Sequence, residues 1–157
     1  MAYDRLIIDG YSLIHRDPEL KRVIAVNLQK AREQLIEKVA RTMTAMASRV
    51  TIVFDGQGAG SGADGIGAVE VLYSSAGQTA DSLIERLVHQ ARVPGSWLVV
   101  TNDRRERETV MAAGVQTMSC AVFIEECARM QRHHASTFQR RKQQNPGPKL
   151  GDFFPKN

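Results

Sequence analysis

Three apolar runs of this chain each lead into an aspartate. Leu6-Ile7-Ile8 runs into Asp9-Gly10, Thr51-Ile52-Val53-Phe54 into Asp55-Gly56, and Trp97-Leu98-Val99-Val100 into Thr101-Asn102-Asp103. The runs are short and rich in β-branched residues, the pattern of buried strands. A fourth acid, Asp81, follows the good helix N-cap Thr79, and Glu85 lies one helical turn further along the same face. In an open parallel α/β sheet, ligands bind beyond the carboxyl ends of the strands. Asp9, Asp55 and Asp103 are therefore expected at one edge, with Asp81 facing them. Crowded carboxylates raise one another's pKa unless a cation neutralises them. They are also the hard oxygen ligands that Mg²⁺ or Mn²⁺ prefers, and such an ion polarises a phosphoryl oxygen and acidifies a bound water. The pattern predicts an acidic, metal-binding pocket. Taken singly, each acid also has a structural reading. Asp-Gly is a good strand-to-turn dipeptide, Asp81 suits a helix N-terminus, and Asp103 suits an N-cap.

Other chemistries fit less well. His15, His89, His133 and His134 show no zinc-ligand spacing with Cys120 and Cys127. No serine sits in a nucleophile elbow. The glycine-rich run Gly56–Gly67 follows the second strand, opens into the alternating segment Ala68–Tyr73 and lacks a following Gly-Lys-Ser/Thr, so it reads as a surface loop or flap rather than a phosphate cradle. A haloacid dehalogenase-type phosphatase wants a second Asp two residues after the first, and Tyr11 stands there.

The elements that must position the acids alternate between strand and helix. Strands are expected over 4–10, 49–54, 68–73, 97–101, which is read as the central one, and 115–118. Asp17-Pro18-Glu19 has the signature of a helix start, and from Asn27 a longer amphipathic helix carries Leu28, Ala31, Leu35, Val39, Met43 and Met46 on one side. Leu83, Ile84, Leu87, Val88 and Ala91 give the Asp81 helix its buried side, and Pro94-Gly95 stops it. A short polar helix over 104–113 and a closing helix over about 121–143, with Val122, Ile124, Ala128 and Met130 among its apolar positions, complete the chain. Alternation of this kind predicts a parallel α/β sandwich with right-handed crossovers.

A chain of 157 residues suits one domain with a substantial core. Its two cysteines make no disulfide framework and read as small buried hydrophobes. No apolar stretch approaches a membrane span, and the first residues lead straight into a strand, so the expectation is a cytoplasmic protein. Charge is uneven: residues 1–128 hold 14 Lys/Arg against 16 Asp/Glu, while residues 129–157 hold 7 against 1. A near-neutral body with a basic tail points to an anionic partner, most simply nucleic acid. Arg140-Arg141-Lys142, Lys149 and Lys156 form the densest basic segment, with Phe153-Phe154 as aromatics able to stack on bases or dock on protein.

Read in order, Asp9-Gly10-Tyr11-Ser12-Leu13-Ile14, Val53-Phe54-Asp55-Gly56, Gln78-Thr79-Ala80-Asp81-Ser82-Leu83-Ile84-Glu85 and Val100-Thr101-Asn102-Asp103-Arg104 resemble the NYN domain of the PIN-like nuclease superfamily, most closely its YacP-like bacterial branch. That branch includes ribosome-associated endoribonucleases. The resemblance implies a Rossmann-like three-layer α/β/α sandwich with a mainly parallel sheet, a nuclease domain over 1–143 and a basic tail over 144–157. It implies Mg²⁺- or Mn²⁺-dependent cleavage of RNA, with the ribosome as a further candidate partner. Asp9, Asp81 and Asp103 fall on the family's metal-binding acidic positions. Ser12, Asp55 and Glu85 are secondary candidates. Arg104 and Arg105, together with Arg140, Arg141 and Lys142, are the candidate RNA contacts. The chain departs from the family pattern at Ser12, where Asn is usual, and at Ser82, where a second acid is usual. Some relatives also carry an acid four residues after the position of Asp103, where this chain has Arg107. The departures leave two readings open: a working endoribonuclease, or a weak or inactive module that binds RNA or the ribosome.

Overall fold

The computed structural model describes residues 2–43, 45–56 and 64–144. Its six-stranded sheet has the order β3-β4-β2-β1-β5-β6. The strands are β1 (Tyr3–Asp9), β2 (Ala47–Phe54), β3 (Asp64–Ile66), β4 (Val69–Tyr73), β5 (Trp97–Val100) and β6 (Gln116–Met118). All neighbouring pairs run parallel except β3 with β4. The helices are α1 (Gly10–Arg16), α2 (Pro18–Ile24), α3 (Leu28–Thr42), α4 (Ala80–Val88), α5 (Arg104–Ala112) and α6 (Cys120–Gln144).

Strand parity divides the core into two. Leu6, Ile8, Val50, Ile52, Phe54, Leu98 and Val100 pack with apolar residues of α1, α2, α3 and α6. Ile7, Val53 and Val99 face the other way, onto Ala80, Ile84, Leu87 and Val88 of α4 and Val110 of α5. Both faces of the inner strands are covered, so those strands read as continuous apolar runs. Side chains two residues apart share a face. Asp9 therefore follows Ile7, and Thr101 follows Val99, onto the face covered by α4 and α5.

The helix starts follow from local chemistry. Asp17 caps α2, its Oδ1 accepting from Glu19 N at 3.0 Å, and its Oδ2 receives Lys38 Nζ at 2.6 Å. Asn27 caps α3 and Thr79 caps α4. Cys120 and Cys127 are free thiols buried along α6.

Three expectations change. β5 is not central; β1 and β2 are, because the chain adds β2 and β4 on one side of β1 and β5 and β6 on the other. Val122 is 46% exposed: α6 puts Phe123 and Cys127 into the core, and Val122 turns away from both. The apolar run after the glycine-rich segment pairs with a short antiparallel strand, β3, that the glycine-rich reading passed over. Residues 57–63 of that segment and the tail 145–157 lie outside the described residues. No described helix is long and apolar enough to cross a membrane.

Candidate metal centre

The chain leaves β1 toward β2 on one side of the sheet, and leaves β5 toward β6 on the other. The crevice between β1 and β5 is therefore the switch point where α/β sheets bind ligands. Asp9 ends β1 there, 7% exposed. Its Oδ2 accepts a hydrogen bond from Ser12 Oγ at 2.9 Å and lies 3.4 Å from Thr101 Oγ1. Ser12 thus still reaches the acid, short as its side chain is.

Asp81 comes to this crevice on the first turn of α4. The third carboxylate is one that sequence reasoning missed. Glu106, on the first turn of α5, is 5% exposed, and one carboxylate oxygen each from Asp9, Asp81 and Glu106 lie within 4.8 Å of one another. Glu106 Oε2 is held by Thr101 Oγ1 at 3.0 Å, while its buried Oε1 has no hydrogen-bond partner. A signal was present: Asp103-Arg104-Arg105-Glu106 has the spacing of a capping box, an N-cap followed three residues later by an acid. In this protein the acid does not return to the cap. Asp103 N donates to Thr101 Oγ1 at 3.1 Å instead, which leaves Glu106 free to turn toward Asp9.

Electrostatics mark the same group. Burial, then Asp81 and the charge of Asp9, push the Glu106 carboxyl up to about 10. Burial also raises Asp81, with Asp103 adding to the effect. Asp103 is held below the usual range, first by the backbone N–H of Glu106 and then by Asp81. Crowded acids shifted in this way are ones that a cation would neutralise. The donor set is all oxygen, the separations are within reach of a small divalent ion after slight contraction, and among the described residues no N–H or O–H group satisfies the buried Glu106 Oε1. The residues fit a hard metal ion.

The other candidate residues fall around this group. Asp103 stands at the expected edge as the N-cap of α5, with Oδ1 accepting from Arg105 N at 2.9 Å and Glu106 N at 3.3 Å. Asp55 lies on the rim, fixed by Ser74 Oγ at 3.1 Å. Ser82 belongs to the cap of α4, where its N and Oγ both meet Thr79 Oγ1, so the missing acid at 82 takes nothing from the Asp9–Asp81–Glu106 group. Glu85 is exposed, 3.9 Å from His89 Nε2, and borders a hollow shared with Asp81, Asp103, Arg105 and Glu106. Arg104 is exposed and pairs with Glu108 at 3.5 Å. Arg140 is exposed on α6, and the side chains of Arg141 and Lys142 lie outside the described residues. A cavity of about 430 Å³ opens over the acids, walled by Asp9, Asp55, Asp81, Tyr11, Ser12, Ala80, Asn102 and His15, with Arg16 as a cation in its lining. Sequence reasoning had not singled out Arg16 or Asn102.

Comparison with known proteins finds the same fold and family. The chain is 27% identical over 151 residues to uncharacterized protein YacP of Bacillus subtilis (strain 168), covering 94% of this chain and 88% of the relative. A crystal structure of Rae1 (YacP) from Bacillus subtilis superposes with a TM-score of 0.76 at 27% identity, covering 91% of this chain and 84% of the other. Its W164L mutant gives 0.74 at 28% identity, covering 90% and 82%. The sequence model of the YacP-like NYN domain matches residues 6–154. With its acids gathered at the switch point of such a sheet, the chain belongs to the YacP-like NYN domain family, a family of nucleases.

Proposed function

We propose that this protein is a metal-dependent endoribonuclease that hydrolyses phosphodiester bonds of RNA. The observation that carries the reading is the Asp9–Asp81–Glu106 group with its one unpartnered buried oxygen. These three residues would hold Mg²⁺ or Mn²⁺, with Asp103 and Asp55 beside them. When bound, the ion supplies a Lewis acid for the phosphoryl oxygen and acidifies a water.

The chain's own residues do the positioning. Ser12 and Thr101 fix the Asp9 carboxylate, and Thr101 fixes one oxygen of Glu106. Thr101 has a single proton to share between the two acids, so it serves one of them at a time. Arg16 gives the cavity the positive charge that an RNA strand needs beside so many acids, and His15 adds a polar ring to the same lining. Arg104, Arg105 and the basic tail would extend that attraction along the backbone, and a ribosome-bound RNA is one substrate such a surface would suit. The alternative of a binding module without turnover rested on Ser12 and Ser82. The Ser12 hydrogen bond to Asp9 and the place of Ser82 in a helix cap favour catalysis instead.

The test is incubation of labelled single-stranded RNA with the protein, with and without Mn²⁺ or Mg²⁺, beside Asp9→Asn. Cleavage is expected only with metal and only in wild type. Metal-independent cleavage, or equal cleavage by Asp9→Asn, would overturn the reading.

A further inference from the structure

Tyr11 forms one wall of the cavity over the acids, and behind it lies Arg32 of α3, only 7% exposed. The guanidinium sits 5.6 Å from the ring centroid of Tyr11, 5.7 Å from that of Phe54 and 5.4 Å from that of Tyr73. Its Nε donates to the Tyr11 hydroxyl oxygen at 2.9 Å, and its Nη2 donates to the same oxygen. Nη1 reaches Gln29 Oε1 at 3.4 Å. Among the described residues no carboxylate pairs with it.

A buried cation without an anion is costly, and three aromatic faces offset only part of that cost. An apolar side chain would fill the same space more cheaply. The arrangement also constrains Tyr11. With two N–H groups on its oxygen, the phenol proton must point in another direction, and no described residue accepts it. The ring itself is braced against Phe54, at 5.2 Å between centroids.

Resting on the nuclease reading above, we propose that Tyr11 is a substrate-binding residue. Its hydroxyl, polarised by Arg32, donates to a non-bridging oxygen of an RNA phosphate in the cavity, and Arg32 is its positioning residue. The acids of this cavity repel phosphate. A guanidinium within hydrogen-bond reach of Asp9 or Asp55, closer than Arg16 comes, would occupy the cation's place. Held behind a phenol, the same charge reaches the phosphate without competing for the carboxylates.

The experiment measures Kd for a labelled single-stranded RNA by anisotropy in Mg²⁺, with KM, kcat and Tm, for wild type, Tyr11→Phe, Arg32→Met, Arg32→Lys and the Tyr11→Phe/Arg32→Met double variant. Tyr11→Phe should raise Kd and KM about tenfold, as loss of a hydrogen bond to a charged group does, and leave kcat within about threefold. Arg32→Met should do the same, and Arg32→Lys, which keeps the charge, should recover part of the affinity. The double variant, which orphans no buried charge, should bind no more weakly than either single one. If Arg32 is only a rivet of the core, the folded variants will lose Tm but keep wild-type Kd and KM, which overturns the proposal. Wild type that binds RNA without cleaving it would sink the nuclease reading alone, since the Kd comparison still decides the role of Tyr11. Wild type that binds no RNA overturns both.

Discussion

Thr101 holds Glu106 by one carboxylate oxygen, at 3.0 Å, and leaves the other buried without a partner. A structural glutamate would satisfy both oxygens, since a buried lone pair left open costs free energy. One oxygen fixed and one open, beside Asp9 and Asp81, is the form of a ligand set in place before its ion.

Glu106→Gln tests that assignment. Mg²⁺ or Mn²⁺ should raise the Tm of wild type, because a ligand that binds only the folded state stabilises it. The variant should lose most of this gain and drop in RNA cleavage by at least about 100-fold, beyond the 10–100-fold typical of outer-shell changes at metal sites. Without metal it should be at least as stable as wild type near neutral pH, since a neutral amide need not take up a proton on folding. A full metal-induced shift in Glu106→Gln, read by thermal melts, would remove Glu106 from the ligand set.

The pH dependence has a definite sign. Glu106 ionises near its ordinary 4.5 when unfolded and near 10 when folded without metal. Between those values the unfolded chain has released a proton that the folded protein still holds. Stability from this group is therefore full below about 4.5 and declines as pH rises toward 10. Metal-free melts should show Tm falling across this window more steeply in wild type than in Glu106→Gln. Saturating divalent ion should flatten the wild-type curve, and parallel metal-free curves for the two proteins would contradict the assignment.

Asp103 separates capping from ligation. Its Oδ1 accepts two backbone N–H groups at the start of α5. Asp103→Ala should cost about 1 kcal/mol of stability, as loss of an N-cap does, whereas Asp103→Asn keeps the cap and should stay near wild type. In the Asn variant the metal-induced Tm gain should shrink less than in Glu106→Gln. The reverse order would return Asp103 to the centre of the metal site.

Gly10 is fixed by a close approach. A Cβ there would lie 2.4 Å from the ring of the buried Phe54. Gly10→Ala should destabilise by about 1–3 kcal/mol, the range for overpacking a filled core. Because Phe54 braces Tyr11, RNA affinity should fall with stability. Chemical denaturation with m unchanged would check the first part, and an unaltered melting curve would show that the ring has room to move.

Much of this was legible in the residues themselves. A β-branched run ending in Asp is a local pattern, and strand parity plus the carboxyl-edge rule carry Asp9, Asp55 and Asp103 to one side of the sheet without any knowledge of packing. Thr79, Asn27 and Asp17 announce helix starts because capping is chemistry between near neighbours. What the sequence could not decide was which acids meet. Asp103 and Glu106 share one helical turn and look alike on paper. Asp103 caps α5 within its own turn, and only the docking of α5 beside α4 and β6 aims Glu106 at Asp9 and Asp81. The cage around Arg32 was likewise invisible, because Tyr11, Arg32, Phe54 and Tyr73 come from four elements far apart in the chain. Their contact exists only where α1 and α3 pack on the same face of the sheet.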